Sequence, residues 1–313
     1  MRAIVRWHPV LMITAGLMLV LSLVHAAGVV LDDTMYGQTP NWMKPLKFSV
    51  SFTLYAAMLG GLVHLLESAS GSVERRVRVL GTWIAAALWY EIFFLDFQAL
   101  RGTQVHFNFR SLFDAVIYES VGAVAMATVV LHVLLVAVVL KKRAARPPVL
   151  LALKLGTALL VASALVGVLM AFPLNGEGWS GDAVGGHFIG TDVDHDVVPG
   201  IYWSSEGGDL RVAHFIGLHA FQVLPLTALL FARWVDSRMV WVLSAGYTAV
   251  FAISLVQALA GESLFAPSPP TVAAAAATLA ATAAGAVWAH RTRPTPPVPP
   301  ESGHRSDPTP THL

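Results

Sequence analysis

The chain has no cysteine. That excludes disulfides, thiolate nucleophiles, iron–sulfur clusters and cysteine-ligated zinc, so a bound metal would have to rely on His, carboxylate or carbonyl ligands. Charge is scarce as well. Only 12% of the 313 residues are Asp, Glu, Lys or Arg, against about 25% in a soluble domain. Hydrophobic residues make up 56% of the chain, and mean hydropathy is +0.64. So few charges cannot coat a globule of this size, and lipid must be the solvent for most of the chain. The net charge of +1 points to no nucleic-acid partner. There is no nucleophile elbow, phosphate loop or dinucleotide fingerprint. That argues against nucleotide-driven work and leaves a membrane-embedded enzyme open.

What the sequence does contain is long apolar runs. A helix needs about 20 apolar residues to cross the hydrocarbon core. Eight segments qualify, at 9–31, 46–66, 79–100, 112–140, 149–172, 212–232, 239–260 and 271–289. The expected fold is therefore all-α, a polytopic transmembrane helix bundle spanning residues 1–290. The first segment has a competing reading as a signal peptide, with Arg2 and Arg6 before it and a cleavage-like Val24-His25-Ala26 within it. Its apolar run is long for that, which favours a retained helix. Residues 291–313 are rich in Pro, Ser, Thr and Arg and read as a disordered tail.

The basic residues set an orientation. Arg2 and Arg6, Arg75, Arg76 and Arg78, Lys141, Lys142, Arg143 and Arg146, Arg233 and Arg238, and Arg291 and Arg293 all fall on one side if every segment crosses. By the positive-inside rule that side is cytoplasmic, with both termini inside. The Ala/Val/Arg-rich usage suggests a bacterial plasma (inner) membrane. The opposite, outer side holds the longest connection, 173–211, which is expected to cap the outer face as an external loop. Within it, Asp192-Val-Asp-His-Asp196 departs from the EF-hand pattern and reads as an acidic turn.

Two outer elements stand out: Trp42-Met-Lys-Pro-Leu-Lys-Phe48, and Arg101-Gly followed by His106-Phe-Asn108 and Phe113-Asp114. In these the first half of the chain resembles uncharacterised bacterial polytopic membrane proteins. The resemblance implies no activity, cofactor or site residue.

Ionisable residues inside a membrane are costly and usually face a protein interior or a cavity. Here they gather toward the outer side. Segment one carries His25, about 9 Å below the outer edge at 1.5 Å per residue. Segment two begins with Lys47. Segment three carries Glu91 and Asp96, and segment four Asp114 and Glu119. Segment six carries His214, His219 and Gln222. The inner half holds His64, His132 and Lys154. An outward-facing polar pocket binding a small molecule or ion is the simplest account.

Several chemistries fit such a pocket. A divalent metal could be held by His214, His219 and Asp96. The two histidines are five residues apart, however, so a regular helix points them about 140° from each other and they form no chelate alone. A b-type haem would need two inward histidines at matching depth: His25 and His219 share the outer half, while His64 and His132 share the inner half but differ in depth. Glu91 and Glu119 could carry protons for coupled transport. In the alternative, the same residues form internal ion pairs in a purely structural protein.

Overall fold

The structure is a computed structural model that describes residues 8–64, 71–143, 145–174, 182–191 and 196–293, with the backbone alone for 71–74. Each expected apolar segment is a helix: α1 (Pro9–Leu31), α2 (Met43–His64), α3 (Gly71–Leu100), α4 (Leu112–Lys142), α5 (Pro147–Leu169), α6 (Leu210–Leu230), α7 (Ser237–Leu259) and α8 (Pro269–Arg291). All eight are long and apolar enough to cross a membrane. The acidic turn from Asp192 to His195 and the tail from Pro294 to Leu313 lie outside the described residues.

The helices start where local chemistry allows, mostly two or three residues before the apolar runs. Asp209 caps α6 by accepting from the Arg211 backbone N–H, and Asp236 caps α7 by accepting from that of Met239. Prolines occupy the first turns of α1, α5 and α8, where a missing N–H costs nothing. Ser111 and Asp114 form a reciprocal cap on α4, with Asp114 N–H donating to Ser111 Oγ at 3.1 Å and Ser111 Oγ–H donating to Asp114 Oδ2 at 2.7 Å.

Helices α1 to α4 pack mainly on one another, and so do α5 to α8. The two groups meet where α4 touches α5 and α2 touches α6. The tightest pair is α5 with α6. A Cβ on Gly156 would sit 2.8 Å from the Ala220 carbonyl oxygen, and one on Gly217 would sit 2.5 Å from Ser163 Cβ. Small residues let these backbones approach closely, as is usual between helices in lipid. The outward faces are apolar: Leu31, Leu230 and Leu279 are each at least 69% exposed, which suits contact with acyl chains. This is an integral membrane protein.

The connections sort into two ends. At the basic end, His8 Nε2 lies 3.0 Å from the Arg78 carbonyl, Arg146 donates to the Ala228 and Ala232 carbonyls, and Arg293 donates to the Arg233 carbonyl. At the other end, Tyr36 donates to Gly102, Asn41 to Ala99, and Ser263 to Ser204. The described parts of the α5–α6 connection lie across this second end, here called the loop end. They pair with the α3–α4 connection through Asn108 and Ala183, and with the start of α6 through a short ladder of Phe188–Ile189 against Gly208–Asp209.

Candidate functional site

The loop end brings together side chains that are far apart in sequence. Asn108 is fully buried and donates to Thr103 Oγ1 and to the Gln104 carbonyl. This tight turn holds Phe107 at φ +58°, a left-handed conformation uncommon for a bulky residue. The α5–α6 connection then docks alongside, with Phe109 N–H donating to the Asp182 carbonyl and Val184 N–H to that of Phe107.

Phe107 is the centre of the cluster. The Lys44 ammonium, from the first turn of α2, sits 5.3 Å from its ring centre. The His187 ring is 5.1 Å away edge-on, Tyr118 is 5.5 Å away and His106 is 6.1 Å away. His106 also packs against Phe48 at 5.6 Å. Beside this group the Arg211 guanidinium lies 4.7 Å over Phe188 and grips Asp209 with two parallel bonds, Nε to Oδ1 at 2.9 Å and Nη2 to Oδ2 at 2.7 Å.

A second turn ties two cations together. Tyr202 is held at φ +55° next to Gly200 at φ +88°. The consecutive carbonyls of Ile201 and Tyr202 then accept from Lys47 Nζ and Arg211 Nη2 respectively. Two of the three described non-glycine residues with positive φ are thus in this cluster; the third, Arg143, is an ordinary C-cap of α4. Strained residues persist only where their surroundings over-determine them, and they gather at functional sites.

The electrostatics are lopsided. Among the described residues neither ring nitrogen of His187 has a hydrogen-bond partner, nor does Nδ1 of His106, and all three atoms are shielded from solvent. Burial holds both imidazoles well below their usual titration range. The charges of Arg211, Lys44 and Lys47 add to this at His187, and that of Lys44 at His106. Both rings are therefore neutral at pH 7. Among the described residues Lys44 has no carboxylate partner, and the Asp209 charge is already matched by Arg211.

The residues expected to share one pocket are separated. Lys47 belongs to the cluster. His25 lies between α1, α2 and α3, with Nε2 3.0 Å from Asp96 Oδ1, Nδ1 3.0 Å from Ser49 Oγ, and its ring stacked on Trp42 at 5.9 Å. Asp114 receives Arg101 at 2.6 Å and Gln98 at 3.0 Å. Glu91 is 4% exposed and meets Thr128 Oγ1 at 3.5 Å. Glu119 stands apart from all of these, on the exposed face of α4. On α6, His214 Nδ1 is 2.7 Å from the Ser163 carbonyl, His219 packs 4.2 Å from the Phe215 ring, and the Gln222 amide turns back toward the carbonyls of its own helix.

No group of three or more His, Asp or Glu able to hold a metal ion occurs among the described residues, so His214, His219 and Asp96 do not converge. Both ring nitrogens of His132 are engaged, by Tyr55 Oη at 2.9 Å and Thr157 Oγ1 at 3.2 Å, as are both of His25. Haem ligation by either would require breaking those bonds. His64 is the exposed last residue of α2.

Sequence reasoning passed over Lys44 and His187 as site residues, and it weighed His106 as a possible ligand but preferred a short polar turn. The available signal was that each of three loop-end connections brings a cation or an imidazole. His187-Phe-Ile-Gly190 also repeats the His214-Phe-Ile-Gly217 of α6.

Fold and site together define an integral membrane protein, with eight long apolar helices among the described residues and a strained, cationic, histidine-bearing cluster at one end. No family model, curated protein or solved structure significantly matches the chain.

Proposed function

We propose that this is a membrane-embedded binding protein that takes a small ligand at the loop end, between the starts of α2 and α6. The observation that carries this is the pairing of strain with unmatched polarity. Phe107 and Tyr202 are both held in left-handed conformations, and between them they organise Lys44, Lys47, Arg211 and two imidazoles with shielded nitrogens that have no partner among the described residues. A purely structural cluster gains nothing from leaving an ammonium without a counter-charge and shielded imidazole nitrogens without hydrogen bonds. A ligand would satisfy both. The test is a thermal-shift screen of small anionic, neutral and cationic compounds on the detergent-purified protein. Ligands are expected to stabilise the wild type and not Lys44→Met; a screen in which no compound discriminates between the two rejects the proposal.

The charge distribution supports an orientation with both termini in the bacterial cytoplasm and the loop end outside. A reporter fused after Arg146 is expected to read cytoplasmic and one at Gly185 external. The reverse pattern would overturn the site's exposure.

A second reading, proton-coupled transport, is favoured by Glu91. This carboxyl is buried in α3 with Thr128 as its hydrogen-bond partner and no basic partner among the described residues. Intramembrane acids of this kind often carry protons. Glu91→Gln in proteoliposomes should abolish pH-driven flux; unchanged flux removes this reading.

A further inference from the structure

We infer that the loop-end ligand is an oxyanion of the phosphate class, a phosphate monoester or the headgroup phosphate of a lipid, bound by Lys44, Lys47 and Arg211 with His106 and His187 beside them. The inference rests on the binding role proposed above and names the chemistry of the ligand.

The first ground is charge. Three cations converge on the ring system of Phe107, His187 and Phe188. Asp209 is the carboxylate in contact with them, and Arg211 saturates it through both oxygens. The remaining partners are soft: an aromatic face for Lys44 and a backbone carbonyl for Lys47. These orient an ammonium without cancelling its charge. Two lysine amines are therefore left without a carboxylate among the described residues. A cationic ligand would be repelled, and a neutral one would leave both ammoniums unmatched. A carboxylate would match one of them. A phosphate monoester carries close to two negative charges at pH 7 and matches both.

The second ground is donors. Lysine ammoniums donate and never accept, and a neutral imidazole has one N–H to give. Among the described residues the shielded nitrogens of His187 and Nδ1 of His106 have no hydrogen-bond partner, so each ring's N–H is free to be given where it lies on one of them. The site is thus rich in donors and poor in acceptors, the complement of a phosphoryl group with its three acceptor oxygens. Neutral histidines also avoid adding charge beyond what one phosphate balances. The aromatic walls formed by Phe48, Phe107 and Tyr118 suit an apolar group attached to the phosphate.

The third ground is placement. The cations lie at the first turns of α2 and α6, where the apolar spans begin, so both water-borne and membrane-borne phosphates can reach them.

The experiment measures binding of inorganic phosphate, phenyl phosphate, benzoate and benzylamine to the full chain in lipid-free detergent by calorimetry. Phenyl phosphate is expected to bind best, with affinity falling as salt rises. Lys44→Met and Lys47→Met are each expected to weaken it by about tenfold or more, as loss of a charged hydrogen bond does. Lys44→Arg, which keeps the charge, should retain most of the affinity and so reports a variant that folds. A parallel arm compares nanodiscs of phosphatidylcholine alone with nanodiscs containing phosphatidic acid, reading lipid retained by native mass spectrometry. Lys44-dependent retention of phosphatidic acid assigns the phosphate to a lipid, and its absence alongside phenyl phosphate binding assigns it to a soluble ester. If benzoate or benzylamine binds in a Lys44-dependent way and the phosphates do not, the phosphate assignment falls and the binding role stands. If none of the four binds and no compound in the wider screen stabilises the protein, both fall.

Discussion

Acidification provides a direct physical test of the loop-end cluster. His187 and His106 are neutral in the folded protein because burial and neighbouring cations hold their imidazoles well below the ordinary value of 6.5. Lys44, Lys47, Arg211 and His106 bear on His187, and Lys44 and His214 bear on His106. In the unfolded chain both rings recover ordinary behaviour and take up a proton below about pH 6.5. Stability then rises with pH wherever the unfolded state binds more protons, so the folded protein loses stability as pH falls below that value. Each such histidine contributes at most about 1.4 kcal/mol per pH unit. Between pH 7.5 and 5.5 the loss is about 1.4 kcal/mol for one ring, and about 2.7 kcal/mol for both if neither protonates in place. The nine tryptophans make intrinsic fluorescence a convenient readout of thermal unfolding in detergent. Midpoints should be compared at one scan rate, because unfolding of such proteins is often irreversible. His187→Gln, His106→Gln and the double variant keep a polar side chain and remove the titration. Their midpoints should fall less steeply between pH 7.5 and 5.5, most of all in the double variant. Parallel curves for wild type and double variant would refute the assignment of both rings as buried and neutral.

Other consequences follow from particular contacts. Arg211→Met strands the Asp209 carboxylate, whose side chain is 1% exposed, and should cost about 3–5 kcal/mol in unfolding free energy; Arg211→Lys should recover only part, because an ammonium cannot make the two parallel bonds. Gly156→Leu forces α5 away from the Ala220 carbonyl, 2.8 Å from where its Cβ would lie, and should lower the thermal midpoint more than Gly16→Leu, where no atom lies within 4 Å. The purified protein should show no Soret band, since both ring nitrogens of His132 are hydrogen-bonded and those of His25 are taken up by a hydrogen bond with Ser49 and a contact with Asp96; a bis-histidine haem spectrum would show that those contacts are not kept.

The membrane-spanning architecture was legible from hydropathy alone, because a run of about 20 apolar residues has few other stable destinations. The boundaries carried a further signal that hydropathy blurs. Asp209 and Asp236 are capping residues, and each starts its helix before the apolar stretch begins. In α3 the helix continues past the hydrocarbon, so Arg75, Arg76 and Arg78 sit on its first turns and not in a connecting loop. Composition cannot separate a helical extension from a loop, since both are polar.

Depth could be counted from the sequence, but direction around the helix could not. Asp114, Tyr118 and Glu119 lie within two turns of α4, yet Asp114 is buried, Tyr118 partly buried and Glu119 exposed. A soluble helix announces its inner face by an apolar stripe. A helix in lipid is apolar on every side, and α4 is such a helix, so the stripe that would have separated Glu119 from Asp114 is missing. The loop residues raise a different difficulty. His106 and His187 come from two connections with no period to place them, Lys44 comes from the first turn of α2, and their meeting depends on Asn108 folding one turn and on Val184 docking against Phe107. The polar face of this protein is thus assembled by its connections, which pin charges over the helix ends, more than by the helices. Substitutions that loosen those connections without touching a cation, such as Asn108→Ala, should therefore weaken ligand stabilisation of the protein while leaving all eight spans inserted.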